Sequence, residues 1–205
     1  SGVKPVAASL QRADMGGSLS TRELTDVAAV LRAARTAGDY GASQEKSPIS
    51  HLFQALTPNR FLEDRITNSI LGEEEIADSA SPELASIRRH MRAAEAKVRD
   101  ILQRLISSNQ SKYLQESIIT IRSDRYVVPV KSEHKNAIPG LVHDVSSSGS
   151  TFFIEPMGVV KANNELRELA AKEKKEIERI LAELSADCAA HKEDILEDYQ
   201  LIVWL

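Results

Sequence analysis

After Gly158 the chain contains no further glycine and no proline, and apolar residues recur along it at helical spacing: Leu166, Leu169, Ala170, Ile177, Ile180, Leu181, Leu184, Cys188 and Ile195. This pattern predicts one long helix. At 1.5 Å per residue, residues 159–198 would span roughly 60 Å, more than the radius of a compact domain built from 205 residues. Such a helix needs a partner. Residues 82–106 supply the candidate. Ser81-Pro82-Glu83 combines a capping serine, a proline suited to the first helical position and an acid suited to the positive end of the helix dipole. From there Leu84, Ile87, Met91, Ala94, Val98, Ile101 and Leu105 alternate gaps of three and four, the spacing of a coiled-coil seam. The polar run Ser107-Ser-Asn-Gln-Ser111 breaks it. Residues 81–115 hold seven basic and three acidic side chains, whereas residues 157–205 hold seven and eleven. Two antiparallel helices of opposite charge, near 82–110 and 157–200, are therefore expected. Glu173 interrupts the apolar stripe of the second.

What joins them has a different period. Ile118-Ile-Thr-Ile121 and Tyr126-Val-Val-Pro-Val130 are β-branched runs around Ser123-Asp124, and Leu141-Val-His-Asp-Val145 and Thr151-Phe-Phe-Ile154 flank Ser146-Ser-Ser-Gly149. Both are hairpin patterns, and four short strands can form one sheet. Pro129 has no N–H to donate, so its strand is expected at an edge or with a bulge. Pro156 closes the sheet. Residues 1–80 read as short helices. Ser20-x-x-Glu23 is a capping box followed by Leu24, Val27, Ala28, Leu31 and Ala34 at helical spacing, with Gly38 as the expected stop. Ala42 to Ser50 reads as a loop. A short helix carries Ile49, Leu52, Phe53 and Leu56, a further one starts at Pro58, and Ile70-Leu71-Gly72 with Ile76-Ala77 suggests a small hairpin. The fold class is mainly α with a small antiparallel β insertion, divided at residues 1–80, 81–115, 116–156 and 157–205.

Composition narrows the function. A net charge of −4 is not that of a uniformly basic polyanion binder, and 4% aromatic residues argue against an aromatic ligand platform. The single cysteine, Cys188, excludes an intramolecular disulfide and any cysteine-based zinc cluster, which fits a cytoplasmic location. No secretory signal is present and no apolar run approaches the roughly 18 residues of a membrane span. The last residues, Leu201-Ile-Val-Trp-Leu205, are apolar and call for a covering partner. The chain is accordingly expected to be a piece of a longer protein.

Ile119-Thr-Ile-Arg-Ser-Asp-Arg-Tyr-Val-Val-Pro-Val-Lys131, Gly140-Leu-Val-His-Asp-Val-Ser-Ser-Ser-Gly-Ser-Thr-Phe-Phe-Ile-Glu-Pro156 and Asn163-Asn-Glu-Leu-Arg-Glu-Leu169 resemble the MutS-two branch of the MutS family. Gly17-Ser-Leu-Ser-x-x-Glu-Leu24, Leu31-Arg-Ala-Ala-Arg35 and Asp78-Ser-Ala-Ser-Pro-Glu-Leu84 are similar to it as well. The resemblance is specific over 78–185 and weak over 36–65. It implies part of a helical core, an outgoing lever helix, a β-rich clamp and a returning lever helix over the four segments above. Family members are homodimeric ATPases that bind duplex or branched DNA and suppress recombination, often with a C-terminal Smr nuclease domain. Some have been linked to stalled ribosomes, and rRNA is a second implied partner. ATP and Mg are implied for an ATPase domain elsewhere, since these 205 residues contain no Gly-x-x-x-x-Gly-Lys-Ser/Thr phosphate loop.

No residue here is expected to be catalytic. His143-Asp144 lacks further ligands for a metal, because His51, His90, His134 and His191 show no ligand spacing. Ser146 and Ser148 near His143 imitate a nucleophile and base, but neighbouring strand positions point to opposite faces, and serine-rich turns ordinarily bond their own backbone. Arg122, Arg125, Lys131, His134, Lys135 and Asn136, around the first hairpin and the loop after it, are the candidate nucleic-acid contacts, since basic loops hold phosphates without reading sequence. Arg88, Arg89 and Arg92 are expected to pair with the acidic return helix, Cys188 to pack as a small apolar group, and Lys172 to Arg179 to form a solvated face with ion pairs. The expected function is a non-catalytic clamp and lever gripping DNA. The alternative is a structural coiled-coil arm for dimerisation or ribosome contact.

Overall fold

A computed structural model describes residues 2–205; Ser1, the first residue of the expected 1–80 segment, lies outside the described residues. The chain is mainly helical with two small antiparallel sheets, and it divides into two compact units, residues 1–85 with 175–205 and residues 86–174.

The first unit contains α1 (Ala7–Asp14), α2 (Thr21–Ser43), α3 (Ser50–Gln54), α4 (Arg60–Ser69) and the hairpin β1 (Ile70–Gly72) with β2 (Glu75–Ile76). It also holds the start of α5 (Pro82–Ile106), the end of α6 (Val160–Ala190) and α7 (Lys192–Trp204). Leu10, Leu24, Leu31, Ile66, Leu84, Ile180, Leu184, Cys188 and Ile195 make its core. The Ser20 capping box is formed in both directions. Three expectations need correction. Gly38 does not stop α2, which runs on to Ser43, because neither Gly38 nor Gly41 takes the left-handed backbone that ends a helix. Gly41 instead leaves room for the Phe53 side chain, into which a Cβ would collide. The third helix starts at Arg60 rather than Pro58, because the Asn59 side chain accepts the Leu62 N–H (3.0 Å) and caps it there. The long return helix is broken at His191, whose backbone (φ −114°, ψ 19°) leaves the helical region while its N–H turns back to the Cys188 carbonyl (3.1 Å). α7 restarts with Glu193 and Asp194 at its positive end and buries Ile195 and Asp198.

In the second unit α5 and α6 lie antiparallel. Arg88 Nε donates to Glu173 (3.0 Å), while Val98 and Leu102 further along α5 share a core with Val159, just before α6, and Ala162 in its first turn. The residue that interrupts the α6 stripe is therefore the acceptor for the first of the three arginines. The heptad holds at the start of α5, where Leu84 and Ile87 are buried, and gives way toward its end: Ala94, Val98 and Leu102, each four apart, are buried, while Ile101 and Leu105 are half-buried.

The sheet in this unit has the order β3 (Thr120–Arg122), β4 (Arg125–Lys131), β6 (Thr151–Pro156), β5 (Gly140–Val145), all antiparallel. Ser123 and Asp124 both take positive φ (52° and 59°), as a tight two-residue hairpin demands. The strand carrying Pro129 is interior, not an edge. Its proline is tolerated because the Pro129 carbonyl takes the Gln115 N–H (2.9 Å) on the side away from β6. A residue's N–H points to the same side as its carbonyl, and on that side β3 has already ended, so no ladder bond is lost. The bulge falls in β5, between Val142 and Asp144, at His143.

Candidate nucleic-acid interface

The six candidate residues separate into two groups. Arg125, at the start of β4, is only 14% exposed and its Nη1 is 3.0 Å from the Glu155 carboxylate on β6. Glu155 has no solvent exposure and accepts two further hydrogen bonds, from His143 Nε2 (2.8 Å) and Asn163 Nδ2 (2.7 Å). Asn163, on α6, also bonds the Tyr126 backbone through its carbonyl (3.4 Å) and its amide (3.2 Å). The Tyr126 hydroxyl donates to Glu95 on α5 (3.0 Å), and burial, with Glu95 nearby, raises the phenol pKa. These groups tie β4, β5 and β6 to both helices. A buried carboxylate is costly unless its lone pairs are satisfied, and here three donors satisfy it. Arg125 is thus committed inside the unit. Arg122 at the end of β3 is likewise engaged: its guanidinium lies 4.2 Å from the Phe153 ring centre, and its Nε is 3.4 Å from Asp144.

The other four stand on one loop. Lys131 ends β4; a 3-10 turn over Ser132–His134 follows, and then Lys135 and Asn136. Lys135 and Asn136 are exposed, Lys131 and His134 half-buried. Among the described residues neither lysine makes an ion pair. The His134 ring rests against Tyr113 with centres 5.1 Å apart, and the Lys135 ammonium lies 5.4 Å from the Phe152 ring centre. The serine turn lies beside this loop, joined by the Ser132 N–H to the Ser150 carbonyl (3.0 Å). Its hydroxyls bond one another and the Thr151 N–H, not a histidine.

The Glu155 cluster was not foreseen. Its one sequence signal is an acid inside the apolar run Thr151-Phe-Phe-Ile-Glu-Pro156, a position that a strand buries. His143 serves this cluster and Asp144 turns to Arg122. Among the described residues no group of three potential ligands is arranged to hold a metal, and no helix is long and apolar enough to cross a membrane. Cys188 packs in the first core, where burial pushes its thiol up to about 12. Glu176, expected on a solvated face, is buried and accepts from the Ser81 hydroxyl (2.9 Å).

A sheet of four short strands between two antiparallel helix segments accords with the insertion that the resemblance to the MutS-two branch implied. The chain matches a segment of that branch: it is 51% identical over 193 residues to Endonuclease MutS2 of Ruminiclostridium cellulolyticum, covering 92% of this chain and 24% of the relative. It is 49% identical over 192 residues to Endonuclease MutS2 of Acetivibrio thermocellus, covering 91% and 24%. It is 45% identical over 207 residues to Endonuclease MutS2 of Clostridium botulinum, covering 99% and 26%. The chain spans about a quarter of the length of the curated relatives it matches. No family model matches it.

Proposed function

We propose that this chain is the clamp and lever portion of a DNA-gripping protein of the MutS-two type, holding duplex or branched DNA by its phosphates and linking it through α5 and α6 to an ATPase domain elsewhere in the longer protein. ATP and Mg belong to that domain, and any nuclease chemistry to a further part of the longer protein; the relatives' name, endonuclease, describes proteins about four times as long. One observation carries the reading. The arginines of the sheet are paired internally, whereas Lys131 at the end of β4 and Lys135 on the loop after it make no ion pair among the described residues. Unpaired cations on a loop contact phosphates and read no sequence, and no helix here is arranged to read base edges. A homodimer and a cytoplasmic site of action are part of the same proposal.

The test is the salt dependence of duplex binding by the longer protein. Replacing Lys131 and Lys135 by alanine should weaken binding about equally for unrelated sequences and lower the salt slope by about one per lost phosphate contact. Unchanged affinity and slope would overturn the reading. The second reading, an arm for dimerisation or ribosome contact, is favoured by one feature: the edge strand β5 exposes the apolar Leu141, Val142 and Val145, and edge strands offer unpaired backbone groups to another chain.

A further inference from the structure

Aromatic residues are scarce in this chain, yet residues 86–174 hold four, and a cation lies over each ring. Arg99 stands over Tyr126 (5.4 Å), Lys112 over Tyr113 (5.1 Å), Arg122 over Phe153 (4.2 Å) and Lys135 over Phe152 (5.4 Å). Such pairs ordinarily occur about once per 70–80 residues. The four are of two kinds. Arg99 and Arg122 are also bound to acids, Glu95 (3.1 Å) and Asp144 (3.4 Å), so those pairs are internal ties. Lys112 and Lys135 are exposed and make no ion pair among the described residues. The rings beneath them, Tyr113 and Phe152, are half-buried and fixed from below by the core that contains Val128 and Ile154. His134 links the two, touching the Tyr113 ring and preceding Lys135 in the chain.

We propose that Tyr113, His134 and Phe152, with Lys112 and Lys135, form a stacking site for unpaired nucleotides. An ammonium over an anchored ring is displaced at little cost by a base, whose π-face any of the four nucleotides provides, and the displaced ammonium then meets the adjacent phosphate. Anchored aromatics beside mobile cations are what sequence-tolerant single-strand binding uses. This inference rests on the phosphate-gripping reading and adds to it the class of strand: a substrate with unpaired nucleotides would be held at this loop in preference to plain duplex.

The experiment measures binding of this chain by fluorescence anisotropy to labelled oligo(dT), to oligo(rU), and to a duplex of matched phosphate number. Tyr113→Leu should weaken binding to the single strands about tenfold while leaving duplex affinity and salt slope unchanged. Tyr113→Phe should restore single-strand binding. A second readout does not depend on the leucine variant's fold: Tyr113→Trp in a Trp204→Phe background should lose indole emission when oligo(dT) is added. Comparison of the two single strands separates DNA from RNA as the source, and Tyr113 dependence with either supports the site. If Tyr113→Leu affects duplex and single strand equally, or neither, and the indole is not quenched, the stacking site is overturned. The phosphate grip would still stand if Lys131→Ala/Lys135→Ala weakens all three probes. Absence of single-strand binding at low salt would overturn the stacking site, whereas the phosphate grip is decided by duplex binding of the longer protein.

Discussion

Two carboxylates have lost contact with solvent, and their surroundings give them opposite consequences. Glu155 meets three donors. Asp198 meets one, the Thr57 N–H (2.7 Å) at Oδ1, and its Oδ2 has no partner. Burial, with Asp194 and Glu197 adding like charge against the lowering effect of Thr57, raises the Asp198 pKa from 3.8 to about 6. The sign follows from linkage. A carboxyl that holds its proton more tightly when folded favours folding at low pH, and that contribution falls away as pH rises from about 4 to about 6. Above that range the buried charge is a standing cost. Asp198→Asn keeps an acceptor for Thr57 and removes the charge, so it should stabilise the chain at pH 7 by about 1–3 kcal/mol and have little effect near pH 4. Urea denaturation at both pH values checks this; equal effects at the two would contradict it. Glu155→Leu should do the reverse. Removing the acceptor strands the Arg125 guanidinium, and a stability loss of about 3–5 kcal/mol is expected for breaking a buried pair from one side. Loss of less than 1 kcal/mol at pH 7 would mean that water already shares the site.

At the scale of elements, the start of α5 was legible because Ser81-Pro82-Glu83 is a local start signal, whereas the helix ends at Ile106, where the polar run begins, four residues short of the expected 110. Both hairpins of the larger sheet were legible for the same reason, since strand period and turn chemistry lie within a dozen residues of one another. What escaped was decided elsewhere in the fold. The break at His191 has no glycine or proline to announce it; it aims Ile195 into the first core and Asp198 at Thr57, contacts made by residues far apart in sequence. A proline points to an edge or a bulge from its own strand alone, whereas at Pro129 the length of β3 decides whether a donor is missed. The candidate site divided similarly: Lys131, His134, Lys135 and Asn136 were found together on a loop, but the commitment of Arg125 depended on Glu155, which sequence spacing could not bring to it. The α5 seam gives an element-scale prediction. Val98 is fully buried between Ala94 and Leu102 in the second core. Val98→Asp places an uncompensated charge there and should cost about 3–5 kcal/mol, whereas Val98→Ala, losing two methyl groups, should cost about 2 kcal/mol. Indistinguishable thermal melting of the two variants would remove Val98 from the core.

On the scale of the whole molecule, the chain is about a quarter of the proteins it resembles, so its chemistry has to be separated from theirs. No phosphate loop occurs in its 205 residues, and phosphoryl transfer in P-loop ATPases rests on that loop's backbone amides and lysine. The purified chain should therefore turn over no ATP above background. The proposal that α5 and α6 carry information makes a sharper demand. If the clamp only anchors DNA, Lys131→Ala/Lys135→Ala will raise the DNA concentration needed for stimulation of the longer protein's ATPase, with the same plateau at saturation. If the junction transmits, weakening it without touching the loop will lower the plateau and leave DNA affinity unchanged. Asn163→Ala is the variant for this, because Asn163 joins α6 to the Tyr126 backbone and to Glu155 and lies away from the lysines in the chain. A reduced plateau at saturating DNA, with wild-type affinity and salt slope, is the expected result. A plateau equal to wild type in a variant that remains folded would leave the sheet as an anchor alone.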